Sequence, residues 1–252
     1  MKSKTKTRST PTLTVRDTPP PAYAVPPLPV LRRSERDPPG RWCTEVNERC
    51  IEMLVHAARH ERQSFALVTE LRELFALTTP ATRRRMAERV FLLVDLHFLD
   101  AQWWSAVRRR PTDAQRNPAW QGSFPRQSAV QLTRATLLLA WNCLRVDPTT
   151  ACVLFGMTAS VAGLLTSLTL NDIDTVSQKH FRHVHARWDD RPAVWRKLLL
   201  AAQASEDKPM GEFNLHGLQL LAGALWAPNT GGIVKAADRS KTAHRGDAPP
   251  RG

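Results

Sequence analysis

Residues 164–200, LLTSLTLNDIDTVSQKHFRHVHARWDDRPAVWRKLLL, and residues 71–107, LRELFALTTPATRRRMAERVFLLVDLHFLDAQWWSAV, read as the same succession of elements. Each leaves a Leu-rich helix end and passes a Thr/Asn start signal and a polar helical turn. Each then enters a short β-prone run and closes on aromatic-x-Asp followed by Trp. Phe91 and Phe181 stand seven residues before Phe98 and Trp188, and Asp100 and Asp190 two residues after them. Upstream, RCIEML (Arg49 to Leu54) aligns with RATLLL (Arg134 to Leu139), with a few residues of slippage. A period of about 85–90 residues is too long for a solenoid unit and suits a duplicated small domain. The alternative is two unrelated helical stretches that share Leu and Trp.

Working outward, the apolar spacing predicts a mainly α fold with bundle-like lobes and short extended segments. Val46, Cys50, Met53, Leu54 and Ala57 form one stripe from Thr44 onward. A second helix is expected over about Ser64 to Phe75, with Leu67, Leu71 and Leu74 inward. Thr79-Pro80 is a helix start, a hydroxyl cap followed by proline at the first helical position. FLLVDLHF (Phe91 to Phe98) fits a brief strand, and Asp100 can cap the helix bearing Trp103 and Trp104. In the second half, helices are expected over Ala129 to Leu144, from Asp147-Pro148, from Thr158 after the break at Gly156, and near Ile173 to Val176 with Asn171 as cap. Asp190 is expected to cap the next, and Phe213 to Leu225 is a final amphipathic segment.

The chain has 252 residues and a net charge of +13, but the charge is unevenly placed. Residues 1–41 hold nine of the 19 prolines and carry +6; residues 227–252 carry +3. Both read as disordered tails, because Pro-rich and charge-rich segments bury no core. The remainder divides into an N-terminal unit at 42–110, a linker at 111–127 and a second unit at 128–226. Basic tails raise non-specific affinity for nucleic acid or anionic surfaces; they serve equally as solubilising segments. No run is apolar and long enough for a membrane helix and no secretory signal is evident, so a cytoplasmic location without membrane contact is expected.

Little in the chain points to catalysis. Phosphate-loop, GxSxG, HExxH and dinucleotide fingerprints are all missing, so no enzyme activity and no cofactor are expected. Cys43, Cys50, Cys143 and Cys152 miss zinc-knuckle spacing and read as reduced thiols. His56 and His60 share a helix face, and His180, His183 and His185 cluster, but neither set has partners at metal-ligand spacing, so no metal site is expected. Asp95 with His97, Asp172 with Asp174, and Asp189 with Asp190 each have a structural reason to be where they are. Of the eight tryptophans, Trp103, Trp104, Trp141, Trp188 and Trp195 read as mostly core, and Trp42, Trp120 and Trp226 as boundary residues.

Residues 134–190 carry a family likeness. Leu137 to Ala140 (LLLA), Leu144 with the Val146-Asp147 turn, the Ala151/Leu154/Gly156 helix break, Leu165, and Leu168-Thr169-Leu170 lead into a polar helix. The ending is His185, Arg187, Trp188 and Asp189. This pattern resembles the FlhD subunit of the bacterial flagellar master regulator, and Phe213 to Leu225 resembles that family's last helix, with His216 in the matching place. The likeness covers about 90 residues, less than half the chain. It implies a dimerising, helical, non-enzymatic transcription activator of flagellum biogenesis. Such a protein acts with a zinc-binding FlhC-like subunit on promoter DNA. This chain departs from the family in length, in its tails and in its apparent second copy. It is therefore expected to fold as two tandem FlhD-like units, a single-chain pseudo-dimer.

Candidate DNA contacts are Arg83, Arg84 and Arg85 with Arg108, Arg109 and Arg110, since clustered arginines suit phosphates. Thr158 to Leu168 could be the second helix of a helix-turn-helix, but ASVAGLLTSL offers no cation or amide to meet base edges. Candidate partner or dimer contacts are Leu137, Leu138, Trp141, His216 and Leu218, on the helices of the family match. The alternative function is a protein-interaction or regulatory module of a motility, secretion or conjugation system that does not touch DNA.

Overall fold

The structure, a computed structural model, describes residues 43–60, 65–109 and 122–226. Both tails, most of the linker, Trp42, Arg110 and Trp120 lie outside the described residues. The fold is mainly α. Its helices are α1 (Thr44–His60), α2 (Ala66–Glu70), α3 (Arg72–Ala76), α4 (Pro80–Ala87), α5 (Ala101–Arg109), α6 (Arg126–Val146), α7 (Pro148–Phe155), α8 (Ala159–Thr166), α9 (Leu170–His180), α10 (Pro192–Gln203) and α11 (Lys208–Trp226). Two short strands, β1 (Val94–Asp95) and β2 (His185–Ala186), pair antiparallel.

Local chemistry explains most helix starts. The hydroxyl of Thr79 accepts from the Thr82 N–H at 3.1 Å, and the carboxylate of Asp147 from Thr150 at 3.0 Å. Proline follows both caps, where its missing N–H costs nothing. Gly156 ends α7 in the left-handed region (φ 56°). Three expected boundaries move. Thr169 rather than Asn171 caps α9, in a reciprocal box with Asp172. The expected helix over Ser64 to Phe75 breaks at Leu71 (φ −111°, ψ 20°) into α2 and α3. Asp100 does cap α5, accepting from the Trp103 N–H at 2.8 Å, but Asp190 is exposed and α10 starts from Arg191 without a side-chain cap.

That last difference has a register cause. The two halves recur at an offset of 90 residues and then of 91. Leu77 (φ −81°, ψ −6°) ends α3 as Ser167 (φ −82°, ψ −6°) ends α8, and Thr79 and Thr169 share cap angles within a few degrees. Beyond the ribbon, His97 (φ 51°) matches Trp188 (φ 57°), the two non-glycine residues with positive φ among those described. Asp100 N–H donates to His97 O and Arg191 N–H to Trp188 O, both at 2.9 Å. Trp104 Nε1 donates to Leu96 O, and Trp195 Nε1 to Arg187 O. Asp100 therefore corresponds to Arg191, not to Asp190, and Trp188 to His97, not to Phe98.

The ribbon obeys the same relation. Val94 pairs with Ala186 and Asp95 with His185. At an offset of 91, Val94 corresponds to His185 and Asp95 to Ala186, so the pairing exchanges equivalent positions. An antiparallel pair does this when a twofold axis passes between its strands. The helices follow suit: α1 packs on α3 and α4 as α6 packs on α8 and α9, and α1 meets α6. The closing helices cross over, α5 onto α8 and α10 onto α3. One apolar core runs through both halves, with Trp104, Trp195, Phe75, Phe91, Phe98 and Phe155 fully buried. Helix α11, which has no counterpart after α5 among the described residues, lies on α10 and α7. There Gly217 leaves room for the Phe91 ring: a Cβ would stand 2.2 Å from it.

Candidate functional site

The ribbon gathers a cluster of titratable side chains from both halves. Asp95 lies on β1 with His97 in the turn after it, and His185 lies on β2 with His183 ending the 3-10 turn Phe181–His183 before it and Arg187 just beyond it. Antiparallel pairing brings the two groups together. His185 is held between carboxylates, Nε2 3.4 Å from Asp95 and Nδ1 3.3 Å from Asp189. Arg187, buried, donates Nη2 to the carbonyls of Val94 (3.1 Å) and Phe155 (2.7 Å) and stands 3.4 Å from Asp95 Oδ1. Next to this network, His97 Nε2 faces His183 Nδ1 at 3.1 Å. The Trp103 ring lies 4.8 Å from the His97 ring and 5.0 Å from that of His183.

These surroundings split the groups electrostatically. Burial opposes the charge on Asp95, but the His185 hydrogen bond and the neighbouring Arg187 outweigh it and hold the carboxyl well below the usual carboxylate range. Burial alone would lower His185; its hydrogen bonds to Asp189 and Asp95 instead push it up to about 10. Burial lowers His97, and burial with the charges of His97, His180 and His185 brings His183 down to about 4. At neutral pH a neutral histidine pair thus borders a standing ion network. No three His, Cys, Asp or Glu side chains among the described residues are placed to hold a metal ion. Cys43, Cys50 and Cys143 are buried, and burial raises their thiols, Cys143 to about 12, which leaves them poor nucleophiles.

The arginines chosen from sequence fall in two places, on α4 and at the end of α5. Arg85 donates to the carbonyls of Ala202, Ala204 and Glu206 and pairs with Asp207, clamping the end of α10. Arg84 pairs with Glu88 at 3.1 Å on the surface. Arg83 is half-buried on α4. Arg108 and Arg109 are exposed at the end of α5, where Arg109 donates to Ser105 O and the Arg108 charge favours the Asp172 carboxylate. No hydrogen bond or ion pair joins the Arg83–Arg85 group to Arg108 or Arg109 among the described residues; Arg110 lies outside them.

Of the expected partner contacts, Leu137 is 1% exposed and belongs to the core, so it offers no surface. Leu138 and Leu218 are half-buried against that core. Trp141 donates Nε1 to Leu168 O at 3.0 Å and carries the Arg145 guanidinium 4.5 Å over its ring. His216 is half-buried on α11. The exposed apolar side chains of α11 are instead Leu215 and Trp226. Helices α7 and α8 meet at 115°, an angle a helix-turn-helix can have. The outer face of α8, however, is Ala159, Ser160, Gly163 and Thr166, with no cation or amide to meet a base edge. No single helix is long and apolar enough to cross a membrane among the described residues.

Comparison with known proteins finds no matching family model, no matching curated protein and no matching solved structure.

Proposed function

We propose that this chain is a non-catalytic regulator of the FlhD type, a single-chain pseudo-dimer that acts on promoter DNA through a protein complex. The observation that carries this reading is the recurrence at 90 and 91 residues, with equivalent positions exchanged across the β1–β2 ribbon. A dimer-forming unit duplicated within one chain has this geometry, and the second copy is the half that resembles FlhD. The use made of the arginines supports placing DNA recognition in the complex. Arg85 spends its donors on the end of α10, and α8 presents no cation or amide where a reading helix presents them. In the proposed assembly an FlhC-like subunit supplies sequence reading, and the basic tails add salt-sensitive affinity.

Crosslinking of the full chain to DNA in its native host tests this. Discrete promoter fragments are expected to be recovered. The purified chain alone is expected to retain those fragments no better than random duplex of equal length, and less as salt rises. Specific retention by the purified chain would move DNA reading into this chain. Cells that yield no enriched promoters would remove DNA from its function and leave the interaction module.

A further inference from the structure

We propose that the His97–His183 pair is an acid-sensitive latch between the two halves of the fold, closed while the rings hold at most one shared proton and opened by a second. The geometry sets this limit. His97 belongs to the first half and His183 to the second, and Nε2 faces Nδ1 at 3.1 Å. With both rings neutral, one nitrogen donates and the other accepts. With one added proton, the N–H of the charged ring still meets a lone pair. With two, a pair of N–H donors face each other with no acceptor between them, and two cations repel across the ribbon.

The carboxylates nearest the pair are already engaged. Asp95 on β1 is already committed to His185 and Arg187, and Asp100 at the start of α5 caps the Trp103 N–H. His185 on β2 is itself a cation, held by Asp95 and Asp189, and His180 at the end of α9 adds a further titratable ring beside His183. The indole of Trp103 closes one side. Burial and the neighbouring imidazoles delay protonation of both rings below the ordinary histidine range, so the latch stays shut near neutrality. What it guards is close by: the Arg187 N–H donates to Leu93 O at 2.8 Å, a backbone bond joining the halves beside the ribbon.

Amide hydrogen exchange on the full chain, in chelator, reads this bond directly. Between pH 6.5 and 4, after correction for intrinsic exchange, the Arg187 amide is expected to lose protection by about tenfold or more relative to the Leu54 amide inside α1, a local opening worth about 1.4 kcal/mol. His183→Asn keeps an acceptor opposite His97 Nε2 and cannot be protonated; it is expected to abolish the loss. An Arg187 amide equally protected at both pH values, or the same loss in H183N, would overturn the proposal. If H183N does not fold, ring titrations of the unaltered chain by NMR decide. The Arg187 amide shift is expected to follow the His97 and His183 rings, and its following any other group would overturn the latch.

Discussion

Replacing Arg187 with methionine isolates the chemistry that joins the two halves, because the side chain keeps its bulk and loses its charge and donors. The guanidinium is 6% exposed and reaches Val94 O, Phe155 O and the Asp95 carboxylate. Two buried carbonyls without a donor cost about 1–2 kcal/mol each, and the loss of one of its two cationic neighbours costs Asp95 about 1–2 kcal/mol more. Against this, the substitution removes a charge whose burial is costly and whose Nε has no hydrogen-bond acceptor, returning about 1–2 kcal/mol. The net expectation is a loss of about 3 kcal/mol. For a folded unit of this size each kcal/mol moves Tm by about 2–4 °C, so R187M should melt about 6–12 °C lower by circular dichroism. Arg187→Lys should recover part of the loss, since all three acceptors face the one nitrogen Nη2 and an ammonium offers three donors from one atom. A methionine variant that melts at or above the unaltered chain would refute the reasoning, showing that an apolar filling serves the seam as well as the ion network does.

Asn47, fully buried, donates to Ala87 O and Phe91 O and accepts the Leu93 N–H at 2.7 Å; Asn47→Ala should cost about 3 kcal/mol in urea denaturation, with little change in slope. Stability should peak near pH 6.5. His185, raised in the fold, contributes fully below its ordinary value of 6.5 and loses that contribution as pH rises through about 10, while His183, lowered in the fold, costs stability as pH falls from 6.5 toward about 4. Urea midpoints at several pH values check both limbs, and His185→Gln should flatten the alkaline one. Gly217→Ala places a methyl against Phe91 and should cost about 1–3 kcal/mol through displacement of α11, read as a lower thermal midpoint. Arg85→Ala should lower stability by about 1–2 kcal/mol and leave DNA retention by the full chain unchanged, since its donors serve α10; reduced retention would return Arg85 to the DNA contacts.

The sequence makes helices legible where a local signal acts alone. Thr79-Pro80, Asp147-Pro148, Gly156 and Thr158 mark their boundaries through bonds that span three or four residues. It reads less well where the signal is tertiary. Leu71 separates α2 from α3 (φ −111°, ψ 20°) inside an unbroken apolar pattern, and no local residue marks the break. The recurrence is legible in the Leu, Phe and Trp spacing, but its register is not: the additional residue of the second half falls between the Thr79/Thr169 caps and the His97/Trp188 turns. The ribbon cluster stands in the sequence as two separate groups, Asp95 with His97 and His183 with His185 and Arg187, the outer members of which lie in turns beside the strands. Nothing local says that they pair. Arg85 reads as a phosphate contact from its arginine neighbours, and its partners within the fold lie 117 to 122 positions away, beyond any local signal.

The mass of the purified full chain in solution, by light scattering behind a sizing column, tests the central claim most directly. A fold that already contains both halves of a dimer is predicted to run as a monomer of 28.3 kDa across a wide concentration range. A stable species of twice that mass would contradict the claim, because the twofold contact would then be made between chains rather than within one.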